Sequence, residues 1–413
     1  MNSRAILHCD LNNFYASVEC VLNPSLIGVP IAVCGNPEAR HGIVLAKNQL
    51  AKKAGVKTAE AIWEAKLKCP DLVCVPPHHD IYLKYSRRVQ EIYKRYTDLV
   101  EPFGLDECWL DVTASKIFGS PLEIANLIRE SVKAETGLTI SVGVSFTKVF
   151  AKLGSDMKKP DAVTVISIEN YKSVAWPVPV QEMFMVGRKT AERLKKLNIF
   201  TIGDLANSDA KLLNKIFGIN ALKIIDSANG IEIEAVSKFT NIRDMKSVGH
   251  GTTTSEDMTN YIQAEKVIYM LSEMVATRMR RYGVIGLTVC LDLRASDLSH
   301  TSRQLTLPSP TSNSSEIANS AIILLKKHWN PNMDLPLRTL TVSTTNLLHS
   351  SDNIQSSFFD SEVEKDESLD KAMDKIRAKH GFNSILRANT TEISFAEEKK
   401  CEEDDLLPFI RKR

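Results

Sequence analysis

The chain has 413 residues, 43% hydrophobic and 25% charged, and a formal net charge of +2; it is too long for one core, so several domains are expected. No apolar run is long enough to span a bilayer, and the N-terminus lacks the apolar stretch of a signal peptide. The eight cysteines form no CxxC pair, so a soluble, cytoplasmic protein with reduced thiols and no membrane partner is expected.

In chain order, Ala5–Cys9 reads as an apolar strand ending on Asp10, followed by a helix over Phe14–Leu22 that carries the aromatic pair Phe14 and Tyr15. Residues 23–80 read as an insertion with its own small core of Ile43, Val44, Leu45, Ile62, Trp63 and Leu67. Helices over Ile81–Thr97, Pro121–Thr136 and Lys148–Met157 then separate strands over Leu99–Phe103, Cys108–Val112, Thr139–Val144 and Ala162–Ile166. This alternation predicts an α+β sheet domain. Residues 168–230 are short, helical and punctuated by glycine, and Ile231–Asn241 lead from them into a strand-and-helix domain reaching Leu348. Its predicted helices are Tyr261–Tyr282 and Glu316–His328, and its strands Leu287–Leu293 and Leu337–Thr344. After His349 the composition turns to Ser, Asp and Glu, a mostly flexible tail in which Ser368–His380 has the pattern of one amphipathic helix. Lys and Arg cluster in the body while the tail is acidic, a distribution compatible with a polyanionic partner.

Asp10 closes a mainly apolar strand, which puts its carboxylate at the edge of a sheet, where burial without a cation is costly. An isolated aspartate there also serves as a helix cap. Asp106 and Glu107, within FGLDECWLDVT, fall at a hairpin tip, where neighbouring side chains need not face opposite ways; alone they read as a solvated turn. Together the three carboxylates suit hard divalent cations such as Mg2+, two of which, roughly 3.5 to 4 Å apart, clamp an in-line phosphoryl displacement. Asp111, a further carboxylate within the following strand, is read as structural.

No GxxxxGK[ST] loop is present, so nucleotide phosphates must be held by other means. Candidates are Lys148, Lys152, Lys158 and Lys159 in SVGVSFTKVFAKLGSDMKKP, and Lys47, Lys52 and Lys53 in HGIVLAKNQLAKKAGVKT, although basic residues on a helix commonly form a solvated face. MVGRKTAERLKKLNIFTIGDLA has the shape of half a helix-hairpin-helix module, or of an ordinary helical packing unit. In the first case Gly187 lets backbone amides approach a phosphate, while Arg188, Lys189, Lys195 and Lys196 add charge without reading sequence.

AILHCDLNNFYASVE, GLDECWLD, SVGVSFTKVFAKLGSDMKKP, VGRKTAERLKKL and KSVGHGTTTSEDM occur in that order, and together they resemble the Y-family (translesion) DNA polymerases, most closely the polymerase IV type. The resemblance covers about residues 4–395. It implies an α+β multidomain right-hand polymerase: a ferredoxin-like catalytic palm (1–22 and 81–166), small fingers (23–80), a helical thumb with a helix-hairpin-helix (167–231), an α/β DNA-binding little finger (242–348) and a tail (349–413). By the same resemblance Asp10, Asp106 and Glu107 are the catalytic metal ligands, with the Leu11 carbonyl as a further oxygen. Two Mg2+ ions per active site are the implied cofactor. Tyr15 matches the steric gate against a ribose 2'-hydroxyl, with Phe14 beside it; Lys159 matches a triphosphate-contacting lysine, and Lys52 stands where the family usually has arginine. Gly187, Arg188 and Lys189 match a DNA contact.

Low-fidelity, template-directed extension of DNA primers past damaged bases is the implied activity. Its partners are primer-template DNA, deoxynucleoside triphosphates and a sliding clamp, with the enzyme a monomer. Ile354–Phe359 is similar to the clamp-docking peptide of bacterial polymerases, Gln355 supplying a hydrogen bond and Phe358 and Phe359 filling an apolar pocket; Asp405–Phe409 is a second candidate. The sequence departs from the family pattern at Asn13, where many relatives have an aromatic residue, and at Ala46 and Gln49, where a hydroxyl residue and a tyrosine often bind phosphate. Gly104 replaces a serine and Met185 displaces the first glycine of the thumb hairpin. Two rival readings are a palm-domain nucleotide cyclase-like enzyme and a non-catalytic DNA- or clamp-binding scaffold.

Overall fold

Ile6–Leu11 (β1) is buried along its whole length because it is the central strand of a five-stranded sheet with cover on both faces. The chain continues through α1 (Phe14–Leu22), β2 (Ile31–Cys34), β3 (Val44–Lys47), α2 (Gln49–Lys53), α3 (Ile62–Lys68), β4 (Val73–Val75) and α4 (His79–Lys94). It then forms β5 (Val100–Pro102), β6 (Glu107–Asp111), α5 (Pro121–Thr136), β7 (Ile140–Ser145), α6 (Lys148–Met157) and β8 (Val163–Ile166). The sheet order is β5-β6-β1-β7-β8, with β1 antiparallel to β6 and β7, and β8 parallel to β7. Leu7, Cys9 and Leu11 pack with Val89 and Ile92 of α4 and Ile124 and Ile128 of α5, while Ile6 faces Ala151 of α6 on the other side. The period-two alternation of β1 thus divides its side chains between two layers of helices.

This computed structural model describes residues 4–35, 42–232, 234–239, 244–350, 363–381 and 384–387. They fall into two compact units, Met1–Asn241 and Ile242–Arg413. Among the described residues no helix is long and apolar enough to cross a membrane.

Within the first unit, the insertion builds a small sheet of order β3-β2-β4 over a core that includes Ala32, Val44, Ala51, Ile62, Ala65 and Leu72. The expected core residues Trp63 and Leu67 are instead 64% and 75% exposed, and Ile43 is exposed as well. The short α3 has one buried stripe, Ile62, Ala65 and the capping Cys69, and Trp63 and Leu67 fall on its far side. Helices α7 (Tyr171–Val174), α8 (Arg188–Lys195), α9 (Ile202–Ala206), α10 (Ala210–Phe217) and α11 (Ile219–Ala228) close the unit around Leu194, Ile202, Leu205, Leu213 and Ile224.

The second unit runs β9 (Ser247–Met258), α12 (Tyr261–Tyr282), β10 (Val284–Ala295), β11 (His300–Thr311), α13 (Ser314–His328), β12 (Leu337–His349) and α14 (Val363–His380). Its antiparallel sheet has the order β11-β10-β12-β9, and α12 and α13 pack with Val289, Leu291, Leu340 and Val342. The outer strands β9 and β11 escaped the sequence reading because few of their residues are buried, which leaves no apolar alternation to detect.

The helix expected over Ser368–His380 is present as α14, and it is packed rather than free. Arg280 binds Asp370 at 3.0 Å and Asp374 at 2.6 Å, while the buried Glu273 of α12 takes Arg377 at 2.7 Å and Arg387 at 2.5 Å. Glu273→Gln would leave two guanidinium groups facing a neutral amide, and breaking a buried ion pair from one side is strongly destabilising. Amide exchange across α14 is expected to accelerate by about tenfold or more in that variant, with β10 and β12 unchanged. Equal protection in both proteins would mean that the burial of Met373 suffices.

Candidate active site

Antiparallel pairing of β1 with β6 sets Asp10 directly opposite Glu107, and the Leu11 N–H donates to the Asp106 carbonyl at 2.9 Å. The turn from β5 into β6 passes through Gly104 at φ +88°, a conformation glycine adopts without strain; here it replaces the family's serine. Asp10, Asp106 and Glu107 therefore share one rim of the sheet. Just beyond it Asn13 takes a left-handed conformation, φ +49°, which asparagine tolerates better than an aromatic residue does, and the chain turns into α1. Asp111 accepts from the N–H and hydroxyl of Thr113, at 3.0 and 2.5 Å, and is structural.

Two lysines meet the rim from α6 and the loop after it. Lys159 Nζ lies 2.8 Å from Asp10 and 2.9 Å from Asp156, and Lys152 Nζ lies 2.7 Å from Glu107. Helix α6 comes this close because β7 carries Gly143, where a Cβ would lie 1.8 Å from the Ala151 carbonyl oxygen. The buried His8 sits behind Glu107, with Nε2 3.4 Å from its carboxylate and Nδ1 2.8 Å from Ser155 Oγ.

Burial pushes the Asp10 carboxyl up to about 7, against the pull of Lys159. Asp106 is also raised, by burial and then by the charge of Glu107. Burial would raise Glu107 too, but the nearby His8 ring and the hydrogen-bonded Lys152 ammonium outweigh it and hold this group at about 2. The rim thus combines one firmly ionised carboxylate with two that resist ionisation, a state that a divalent cation reverses. Among the described residues no three acidic, histidine or cysteine side chains already stand in ligating geometry; lysine ammonium groups sit on Asp10 and Glu107 instead. The donor chemistry nonetheless fits a hard cation, since Asp10, Asp106, Glu107 and the Leu11 carbonyl offer only oxygen.

Tyr15 lies against this rim. Its phenol is pushed up by burial and then by the charge of Asp106, and its ring stacks on Tyr82 with centroids 4.2 Å apart and planes at 13°. Phe14 and His79 flank it at 5.4 and 5.8 Å. The Tyr82 hydroxyl donates to Glu19, which also takes His78 at 2.9 Å. Tyr82, Glu19, His8 and Ser155 are not singled out by the sequence pattern, since each acts through a partner distant in the chain.

The structure brings together Asp10, Leu11, Asp106, Glu107, Phe14, Tyr15 and Lys159. Lys152, read as a possible phosphate binder, is seated on Glu107. Lys52 is exposed on α2, close enough to Lys47 for its charge to be felt there. Gly187 caps α8; Met185, two residues earlier, adopts φ +75° without being glycine, and a Cβ on Gly187 would meet nothing within 4 Å. Arg188 is 91% exposed and pairs with Glu192 at 2.9 Å, and Lys189 is exposed beside it. Gln355, Phe358, Phe359 and Asp405–Phe409 lie outside the described residues.

Residues 9–156 match the model of the impB/mucB/samB family, and residues 245–358 match that of its C-terminal domain. DNA polymerase IV of Acetivibrio thermocellus is 46% identical over 387 residues, covering 93% of this chain and 96% of that protein. DNA polymerase IV 1 of Bacillus subtilis is 37% identical, covering 94% and 93%. Among solved structures, a Y-family DNA polymerase chimera superposes with a TM-score of 0.74 at 24% identity over 84% of this chain and 99% of its own, a likeness of fold. With both family models matched in order and near full-length relatives at this identity, the chain belongs to the impB/mucB/samB family, the Y-family DNA polymerases, and within it to the polymerase IV type.

Proposed function

We propose that the chain is a template-directed, low-fidelity DNA polymerase that extends primers past damaged template bases. The observation that carries this reading is the meeting of Asp10 with Asp106 and Glu107 on one sheet rim, beside Tyr15 and Lys159. In it the five-stranded sheet and its helices are the palm (1–22 and 81–166), the insertion is the fingers (23–80), the helical cluster is the thumb (167–231), and the second sheet is the little finger (242–348). The primer 3'-hydroxyl attacks the α-phosphate of a deoxynucleoside triphosphate, a P–O bond forms, and pyrophosphate leaves with the bonding electrons.

Asp10, Asp106, Glu107 and the Leu11 carbonyl would hold two Mg2+ ions, which, when bound, lower the pKa of the attacking hydroxyl and neutralise phosphate charge. Lys152 and His8 fix Glu107 from behind. Lys159 exchanges its carboxylate contacts for triphosphate oxygens, and Lys52 supplies a point charge from the fingers, without the bidentate fork of arginine. Tyr15 lies beneath the sugar. Fingers this small enclose the nascent pair loosely, which favours tolerance of damaged bases over fidelity. Gly187, Arg188 and Lys189 bind backbone phosphate without reading sequence, so DNA affinity falls as salt rises. A monomer in the cytoplasm meets these requirements.

The test is a running-start primer extension on intact and abasic templates, with Mg2+ and with chelator. Mg2+-dependent extension through the lesion is expected; cyclisation of nucleotides without primer, or DNA binding without synthesis, would replace this reading with one of its rivals. We further propose that Gln355, Phe358 and Phe359 dock on the sliding clamp. Deleting Gln355–Phe359 is expected to remove stimulation by clamp while synthesis on short primers persists. Surviving stimulation would move the docking site to Asp405–Phe409 or elsewhere.

A further inference from the structure

Asn12, two residues beyond Asp10, is 4% exposed and ties three separate segments together. Its Oδ1 accepts the Asp161 N–H at 2.8 Å and the Thr139 hydroxyl at 3.1 Å, and its Nδ2 donates to Ser141 Oγ at 2.9 Å. A backbone N–H can only donate, so the amide oxygen must face Asp161. The main chain of Asn12 is anchored as well: its N–H donates to the Thr139 carbonyl at 2.9 Å, and its carbonyl accepts the Ser17 hydroxyl at 2.7 Å. A buried amide whose oxygen accepts two hydrogen bonds and whose nitrogen donates one is held in one geometry.

The position of Asp161 gives this hub its meaning. Lys159, two residues before Asp161, places its ammonium 2.8 Å from Asp10, two residues before Asn12. Two matched tethers therefore join the end of β1 to the loop after α6: Asp10 to Lys159 through side chains, and Asn12 to the Asp161 backbone. From the outer side the Asp161 carboxylate is held by Arg129 at 3.4 Å and Lys133 at 3.1 Å, both on α5. A lysine ammonium on its four-carbon stem has no planar fork to orient it, so its location is set by where its backbone is fixed. Aspartate at position 12 would keep the acceptor, lose the donor to Ser141, and bring a further carboxylate to the rim.

We propose that Asn12 is a positioning residue for Lys159, holding the loop in register with β1 so that the ammonium stands where the triphosphate is received. The proposal rests on the reading of Lys159 as a triphosphate ligand. It is tested by steady-state insertion of one matched deoxynucleotide by the full-length chain and by Asn12→Ala, Lys159→Ala and the double variant. Lys159→Ala and Asn12→Ala are each expected to raise KM for the nucleotide by about tenfold, with kcat changed less, and the double variant is expected to match Lys159→Ala alone. Ser141→Ala spares the bond to Asp161 and is expected to stay within about twofold of the unmodified protein.

Additive effects in the double variant would mean that Asn12 acts independently of Lys159 and would overturn the proposal, as would an unchanged KM in Asn12→Ala. An unchanged KM in Lys159→Ala would instead remove the triphosphate reading beneath it. Melting temperatures accompany each variant. If Asn12→Ala does not fold, Asn12→Ser, whose hydroxyl is too short to reach Asp161, takes its place with the same expected outcomes.

Discussion

Replacing Asp106 with asparagine is expected to lower primer extension by about a thousandfold or more while the fold and the affinity for primer-template DNA stay as they were. A loss of that size corresponds to about 4 kcal/mol of transition-state stabilisation, within what positioned cations supply to a phosphoryl transfer. Asparagine preserves the volume of Asp106 and one of its oxygens but removes the charge. In the metal-free protein that charge is a burden, because burial and Glu107 both resist it. Asp106→Asn should therefore melt no lower than the unmodified chain without divalent cations. Any rise in melting temperature on adding Mg2+ should shrink in the variant, because a ligand that binds the folded state stabilises it in proportion to its affinity. A variant that retains extension to within tenfold would show that Asp106 is not a metal ligand. One that melts far lower would show a structural role instead.

The rim carboxylates were legible in the sequence because strand periodicity places a residue: Asp10 ends an apolar run and Asp106-Glu107 begins another, so both fall at an edge. What periodicity cannot give is pairing between distant segments. His8 meets Ser155 across 147 residues, and Asn12 meets Asp161 across 149, through single hydrogen bonds that leave no trace in local pattern. Lys152 illustrates the same limit, since a basic residue on a helix looks alike whether it awaits a phosphate or neutralises Glu107. The insertion core was misjudged at Trp63 and Leu67 because α3 is too short for its apolar residues to declare which stripe is inward. The docking of α14 was hidden for a different reason: ion pairs among Glu273, Arg280, Asp370, Asp374 and Arg377 do much of the holding, and charges on a helix ordinarily signal solvent.

Tyr15→Ala is expected to raise insertion of ribonucleotides relative to deoxyribonucleotides by about a hundredfold, with efficiency on deoxyribonucleotides falling less than about tenfold. A ring discriminates against one extra hydroxyl only if it cannot yield, and the surroundings of Tyr15 are built against yielding. One face is stacked on Tyr82 at 4.2 Å, and Tyr82 is fully buried with its hydroxyl bound to Glu19. Phe14 and the edge of His79 limit sideways motion. Forcing an oxygen against such a wall resembles overpacking a core, which costs about 1 to 3 kcal/mol, and the upper end corresponds to about a hundredfold. Tyr15→Phe keeps the ring and is expected to keep the discrimination, which would assign the gate to the ring face and not to the phenol. Equal ribonucleotide insertion by Tyr15→Ala and the unmodified protein would remove the gate from this position. A loss of discrimination in Tyr15→Phe as large as that in Tyr15→Ala would shift it to the hydroxyl, whose place beside the Asp106 charge would then be the feature that matters.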